Sequence, residues 1–130
     1  MIEVYIDGAS AGDPGPSGAG IFIKGHGKAE SFSIPLGSMS NHAAEFHALV
    51  EGLKICRDKG YHVVSFRTDS QAVEAAMEKR FAKKEEYKNL LEEALNLADN
   101  LELFFIKWIP SKQNKMADEL SRKAIRLNKI

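Results

Sequence analysis

The sequence lacks several features that would assign it at once to a structural class. Cys56 is the only cysteine, so one chain can form neither a disulfide framework nor a cysteine-based zinc site. No apolar run approaches the roughly 20 residues of a membrane span. The amino terminus has neither the basic start nor the apolar stretch of a secretory signal. We therefore expect a cytoplasmic protein with no membrane partner.

A net charge is also absent. The 18 Lys and Arg residues balance the 18 Asp and Glu residues, so the whole molecule offers no general attraction to polyanions. Basic residues nevertheless dominate residues 110–130 and cluster within residues 79–84, either as solvated helix faces or as phosphate contacts. The length of 130 residues, with 44% hydrophobic and 28% charged residues, predicts a single domain over residues 1–130. We also expect a monomer.

Hydrophobic periodicity predicts the order of strands and helices. A period of two over residues 2–7 predicts a strand, and a wide glycine-rich turn over residues 8–20 follows it. Helical spacing begins at residue 41, with Gly60 as its natural stop. The remaining predicted elements are strands at 19–24, 28–34, 63–68 and 101–108, and helices at about 70–80, 85–99 and 115–127.

Four acidic residues fall at the ends of these elements: Asp7, Glu45, Asp69 and Asp118. Right-handed crossovers make the two later strands parallel to the first, so all three strands end at the same edge of the sheet. The helices that begin at this edge carry Glu45 and Asp118 back to it. Open α/β sheets bind ligands at their carboxyl edge, and we expect the four carboxylates to share one site there.

A cluster of four carboxylates implies a bound cation. Packed carboxylates repel one another, and each raises the pKa of the others unless a cation neutralises them. The donors are all oxygens, which favour Mg²⁺ or Mn²⁺ over Zn²⁺. Two such ions can activate water on one side of a phosphorus and stabilise the leaving oxygen on the other. Each acid alone also suits a helix terminus or a turn, but that does not explain why Asp7 ends a strand at this edge.

Five short motifs occur in order along the chain: Asp7–Ser10, Gly12–Gly18, Asn41–Glu45, Thr68–Gln71 and Asn114–Asp118. Together they resemble the type 1 ribonuclease H family, in the bacterial form without a catalytic-loop histidine or a basic protrusion. The resemblance implies an α/β, ribonuclease H-like fold with a five-stranded mixed sheet in the order 3-2-1-4-5 and helices on both faces. It also implies an endonuclease that cuts the RNA strand of RNA–DNA hybrids and leaves 5′-phosphate and 3′-hydroxyl ends.

The same resemblance assigns roles to individual residues. Asp7, Glu45, Asp69 and Asp118 would be the catalytic residues and would hold two Mg²⁺ or Mn²⁺ ions when substrate is bound, with Asp7 bridging both. Contacts to the 2′-hydroxyl groups separate RNA from DNA. The residues that would contact the hybrid are Gly8, Ala9, Ser10, Gly12, Ser40, Asn41, Gln71 and Asn114.

Two departures from the family pattern leave other functions open. No histidine lies between Trp108 and Ala117, where many members have one, and Asp13 stands where many have asparagine. The alternatives are a weak or silent nucleic-acid-binding module with the same fold, or another nuclease of the same superfamily. Two further residues have predicted environments. Cys56 is expected to be a buried packing thiol, and Trp108 is expected to be either a core residue or part of a stacking surface.

Overall fold

The computed structural model describes residues 1–128. Within this range the chain forms five strands and four α-helices. In chain order they are β1 (Ile2–Ser10), β2 (Gly15–Gly25), β3 (Lys28–Met39), α1 (Asn41–Lys59), β4 (Val63–Thr68), α2 (Gln71–Lys79), α3 (Glu85–Asp99), β5 (Leu103–Trp108) and α4 (Lys115–Arg126). A short 3₁₀ turn at Ser111–Gln113 precedes α4. Among these residues, no helix is long and apolar enough to cross a membrane.

The five strands form one mixed sheet in the order β3-β2-β1-β4-β5. The strands β1, β2 and β3 are antiparallel neighbours, whereas β4 is parallel to β1, and β5 is parallel to β4. This arrangement confirms the predicted strand order and the α/β fold class. It also places the last residues of β1, β4 and β5 at one edge of the sheet, where α1 and α4 begin.

The first hairpin differs from its sequence-based prediction. The wide turn predicted over residues 8–20 is wrong, because β1 continues to Ser10, which pairs with Ser17 of β2. Gly18 and Gly20 therefore lie within a strand, where their missing side chains admit α4. The strand β3 also runs on to Met39 instead of ending near residue 34, and β5 begins at Leu103 instead of Leu101.

A single apolar core fills the space between the sheet and α1, α2 and α3. The predicted stripe of α1 is confirmed, because its large apolar side chains and Cys56 are buried against the sheet. Burial also raises the pKa of the Cys56 thiol to about 12, as expected of a packing residue and not of a nucleophile.

The ends of α1 have clear causes in the sequence. The Ser40 hydroxyl accepts a hydrogen bond from the Ala43 backbone nitrogen at 3.1 Å, which satisfies one of the free N–H groups of the first turn. At the other end, Gly60 has a φ of 72°, a left-handed conformation that glycine adopts at little cost. The Ser40 cap fixes where the helix starts and, with it, the location of Glu45 one turn later, whereas Gly60 fixes where the helix ends.

Candidate active site

A cleft of about 550 Å³ opens at the carboxyl edge of the sheet. All four acidic residues singled out in the sequence line it: Asp7, Glu45, Asp69 and Asp118. They come from four different elements, namely β1, α1, the end of β4 and α4. The rim also carries two basic residues of α4, Lys115 and Arg122, so the cleft combines an acidic floor with basic groups at one side.

Asp7 faces α4 because of the alternation along β1. Its neighbours Ile6 and Gly8 are buried on the α1 side of the sheet, so the Asp7 side chain points to the opposite side. Its Oδ2 accepts a hydrogen bond from the hydroxyl of Ser121 at 2.5 Å. Asp7 also pairs with Gly20 of β2, where a Cβ atom would lie 2.5 Å from the backbone nitrogen of Ser121. The absence of a side chain at Gly20 therefore lets α4 reach Asp7.

Glu45 reaches the site through a second close approach. A Cβ atom at Gly8 would lie 2.5 Å from the backbone nitrogen of Glu45, so only a glycine lets the first turn of α1 lie directly on the end of β1. The Glu45 Oε1 then lies 3.2 Å from Nδ1 of His42, one turn earlier on the same helix. His42 is exposed, and its ring contacts the Glu45 carboxylate through this nitrogen.

Asp69 and Asn114 link the end of β4 to the start of α4. The side chain of Asn114 is only 1% exposed. Its Nδ2 donates to the backbone oxygen of Ile6 at 2.9 Å and lies 3.4 Å from Oδ2 of Asp69. The backbone oxygen of Asp69 accepts a hydrogen bond from Nε1 of Trp108 at 3.1 Å. Asn114 therefore fixes three parts of the edge in place: the end of β1, the end of β4 and the first turn of α4.

Asp118 lies in the first turn of α4, where the positive end of the helix favours a carboxylate. Its Oδ2 is 3.1 Å from Nε of Arg122, one turn further along the helix. Both side chains are largely exposed, so this ion pair contributes little to stability. Arg122 holds a positive charge beside the carboxylate cluster.

Two of the four carboxyl groups, those of Asp7 and Glu45, have raised pKa values. Burial raises the pKa of Asp7 to about 7, and repulsion by the charges of Asp69, Asp118 and Glu45 acts in the same direction, although the Ser121 hydrogen bond opposes it. Burial also raises the pKa of Glu45, with His42 opposing the rise. A strongly raised aspartate pKa in a cleft is typical of a functional site, and a cation bound beside Asp7 would favour its charged form.

Within residues 1–128, no three Asp, Glu, His or Cys side chains are already arranged to hold a metal ion. Each of the four carboxylates instead contacts a polar side chain of the protein, as described above. The donor set itself, which contains only carboxylate oxygens, suits the hard ions Mg²⁺ and Mn²⁺.

The residues expected to contact a hybrid divide into two groups. Gly8, Ala9, Ser10 and Asn41 line the cleft together with the acids, whereas Gly12, Ser40, Gln71 and Asn114 are not among its lining residues. The Ser40 hydroxyl is engaged as the cap of α1. Asn114 is buried, and its side chain binds the backbone oxygen of Ile6 beneath the cleft.

Sequence reasoning missed one residue of the site and left the environment of another open. Ser121 received no role, although its position three residues after Asp118 puts it on the same side of α4. Trp108 was expected either in the core or on a stacking surface, and its side chain is 43% exposed, which excludes the core. The reason is that β5 is an edge strand and that the indole turns toward the Asp69 carbonyl.

The sheet order and the carboxylate-lined carboxyl edge define a ribonuclease H-like protein. Residues 6–124 match a family model described as reverse transcriptase-like. The putative hydrolase EbsB of Enterococcus faecalis is 40% identical over 127 residues, which covers 96% of this chain and 94% of the relative. Ribonuclease HI of Halobacterium salinarum is 30% identical over 128 residues, which covers 95% of this chain but 64% of the relative.

Solved structures agree with these sequence comparisons. A crystal structure of RNase H1 from Halobacterium salinarum matches with a TM-score of 0.90 and 28% identity, covering 96% of this chain and 97% of that one. LC11-RNase H1 in complex with an RNA/DNA hybrid matches with a TM-score of 0.89 and 27% identity, covering 97% of each chain. The chain therefore belongs to the reverse transcriptase-like family, and it is similar in sequence and in structure to ribonucleases H.

Proposed function

We propose that this protein is an endoribonuclease that hydrolyses the RNA strand of RNA–DNA hybrids and leaves 5′-phosphate and 3′-hydroxyl ends. The observation that carries the proposal is that Asp7, Glu45, Asp69 and Asp118 line one cleft. Burial in this cleft raises the pKa of Asp7 to about 7. The structural likeness to LC11-RNase H1, which was solved with an RNA/DNA hybrid, supports this substrate. A monomeric state and a cytoplasmic location stay predictions.

The residues of the cleft fit two divalent ions of the Mg²⁺ or Mn²⁺ type. When bound, such ions would supply Lewis acidity, which makes a water molecule more acidic and neutralises charge on the leaving oxygen. Asp7 would be shared between the two positions, with Asp118 completing one and Glu45 and Asp69 completing the other. The protein's part is to hold these carboxylates on strands and helices of the fold, at the edge where the ions would bind.

Substrate recognition would use the other side chains and backbone groups of the cleft. Gly8, Ala9 and Ser10 line the cleft, and their backbone would approach the ribose units. Asn41 and Gln71, at the first turns of α1 and α2, would contact bases or sugars in the minor groove. Lys115 and Arg122 would face phosphates. Since overall net charge is zero, binding would depend on these few local contacts and fall steeply with salt.

Cleavage of a labelled hybrid in Mg²⁺ and in Mn²⁺ tests the proposal. The protein should cut the RNA strand of the hybrid, but not duplex DNA or single-stranded RNA of the same sequence. Asp7→Asn should reduce kcat by more than the roughly 10–100-fold that follows from removing a group behind a metal ligand, while hybrid binding persists. Asp58→Asn, which changes an exposed aspartate of α1 paired with Arg57, is the matched control and should cleave normally.

Different failures of this assay point to different functions. Specific hybrid binding without cleavage in either metal would indicate a silent binding module. Cleavage of duplex DNA or single-stranded RNA at a similar rate would indicate another nuclease of the superfamily. If Asp7→Asn cuts as fast as the parent, the assignment of the carboxylate site is wrong.

A further inference from the structure

We propose that Ser121 is a positioning residue for Asp7. In this arrangement its hydroxyl holds one oxygen of the carboxylate against α4 and leaves the other for a divalent cation. The inference rests on the proposed function only for the use of that cation, because the contact itself belongs to the metal-free protein. Ser121 would touch neither the substrate nor the reacting atoms, and it would act through Asp7.

The hydroxyl of Ser121 has two acceptors within reach. Its Oγ lies 2.5 Å from Oδ2 of Asp7 and 2.9 Å from the backbone oxygen of Asp118, but it carries only one proton. Hydrogen bonds from a hydroxyl to a carboxylate have donor–acceptor distances of about 2.5–2.7 Å and are roughly twice as strong as those between neutral groups. The proton therefore goes to Asp7, and the Asp118 carbonyl is the weaker alternative.

Ser121 is buried, so its hydroxyl has no access to solvent. The side chain is 0% exposed and lies on the buried face of α4 between Ala117 and Ala124. An alanine would fill the same position without placing a polar atom in the buried contact between α4 and the sheet. A buried hydroxyl must be hydrogen-bonded to avoid a desolvation cost, and here the side-chain partner is the Asp7 carboxylate.

The bond constrains Asp7 at the oxygen that faces the helix. The hydrogen bonds of residues 1–128 give Oδ2 a donor in Ser121 and give none to Oδ1. A carboxylate tied at one oxygen cannot rotate freely about its last side-chain bond, so the second oxygen keeps a fixed direction. Partners behind a metal ligand act in this way in known metal sites, and removing them costs roughly 10–100-fold in metal affinity or activity.

The close approach of α4 makes this bond possible. Gly20 lies beside Asp7 on the neighbouring strand, and the backbone nitrogen of Ser121 lies 2.5 Å from where a Cβ atom of residue 20 would be. The helix can therefore descend onto the sheet until Ser121 reaches Asp7. Gly20 therefore leaves the space for α4, and Ser121 donates the hydrogen bond to Asp7.

A Mn²⁺ titration without nucleic acid tests the inference. Thermal unfolding at increasing Mn²⁺ gives the affinity, since an ion that binds only the folded state raises Tm. Ser121→Ala should weaken Mn²⁺ binding by about tenfold or more. Ser121→Cys, which fills nearly the same volume but donates weakly, should behave like the alanine variant.

Ser33→Ala is the matched control. The Ser33 hydroxyl also anchors α4, through a 2.7 Å bond to the backbone oxygen of Leu120, but it does not touch a carboxylate of the cleft. This variant should lose stability and keep Mn²⁺ affinity within about twofold. If Ser33→Ala and Ser121→Ala weaken Mn²⁺ binding equally, Ser121 acts only by docking the helix, and the inference is overturned.

A double-variant cycle isolates the path through Asp7. In an Asp7→Asn background, Ser121→Ala should have no further effect on Mn²⁺ affinity, and an independent effect there would contradict the inference. The result also stays separate from the proposed function, because these titrations contain no hybrid. Weaker Mn²⁺ binding by Ser121→Ala in a protein that fails to cleave hybrids would refute the proposed substrate and leave the role of Ser121 standing.

Discussion

The helices α1 and α4 lie on opposite faces of the sheet and are held there by side chains of very different size. On the α1 face, large apolar residues such as Leu49, Val4 and Phe66 fill the core. On the α4 face, the buried helix residues are Ala117, Ser121 and Ala124. They pack against glycines of β2.

This difference separates stability from positioning. Burying a large apolar side chain contributes about 1.5–3 kcal/mol, so the α1 face supplies most of the driving force for folding. Small residues bury little area, but they let two backbones approach closely. The α4 face therefore contributes less stability and instead fixes Asp118 and the donor to Asp7 relative to the sheet.

Two variants, one on each face, should show the largest contrast. Leu49→Ala creates a cavity in the core and should lower the free energy of unfolding by about 2–5 kcal/mol. Gly20→Ala forces a methyl group against α4 and should cost about 1–3 kcal/mol. Only Gly20→Ala should also weaken Mn²⁺ binding, by about tenfold, because it moves Ser121 away from Asp7. Thermal unfolding with and without Mn²⁺ measures both quantities.

The comparison fails if both variants lose stability and Mn²⁺ affinity to the same extent. Leu49→Ala should keep its Mn²⁺ affinity at temperatures well below its Tm. A comparable loss of Mn²⁺ affinity in Leu49→Ala would mean that the core and the site are not separable in this fold.

The pH dependence of stability should come from the acidic edge. Burial raises the pKa of Asp7 to about 7 in the folded protein, whereas an unfolded aspartate titrates near 3.9. Between these values the folded state binds more protons than the unfolded state, so the free energy of unfolding should fall as pH rises from about 4 to about 7. Thermal unfolding in EDTA at a series of pH values measures this slope.

Asp7→Asn removes the titrating group and should flatten that slope while raising Tm near neutral pH. Mg²⁺ should raise Tm more at about pH 8 than at about pH 5, because the ion binds the ionised carboxylate. A metal-free protein that becomes more stable as pH rises through this range would contradict the assigned state of Asp7.

The smallest expected effect is at the cap of α1. Ser40→Ala removes the side-chain acceptor of the Ala43 N–H group and should cost about 1 kcal/mol, whereas Ser40→Gly should cost only a few tenths. If Ser40 also contacts a DNA phosphate, both variants should weaken hybrid binding equally despite their different stabilities. Fluorescence anisotropy with a labelled hybrid and chemical denaturation distinguish the two roles, and binding that follows stability would remove the phosphate contact.

The order of the elements and the buried stripe of α1 were predictable because they rest on periodicity. The burial of Phe46, Leu49 and Cys56 follows from their helical spacing, and the strand order follows from the rule for right-handed crossovers. The four acidic positions could also be placed at one edge from topology alone. These predictions needed no knowledge of how closely two elements approach.

Predictions failed where a residue's role depends on its partner across the fold. Gly18 was assigned to a turn, and Gly20 to the start of a strand with no role, because a glycine in a sequence does not reveal a helix packed above it. The role of Ser121 depends on a residue 114 positions away. The exposure of Trp108 depends on the edge position of β5, which alternation along the strand does not reveal.

Trp108 gives the protein an optical reporter of its own. It is the only tryptophan in the chain, and its indole nitrogen is tied to the backbone of Asp69 while its ring is 43% exposed. Indole emission responds to nearby charge and to contact with water. Tryptophan fluorescence should therefore report changes of charge or solvation beside Asp69 directly, without a label and without the signal of a second tryptophan.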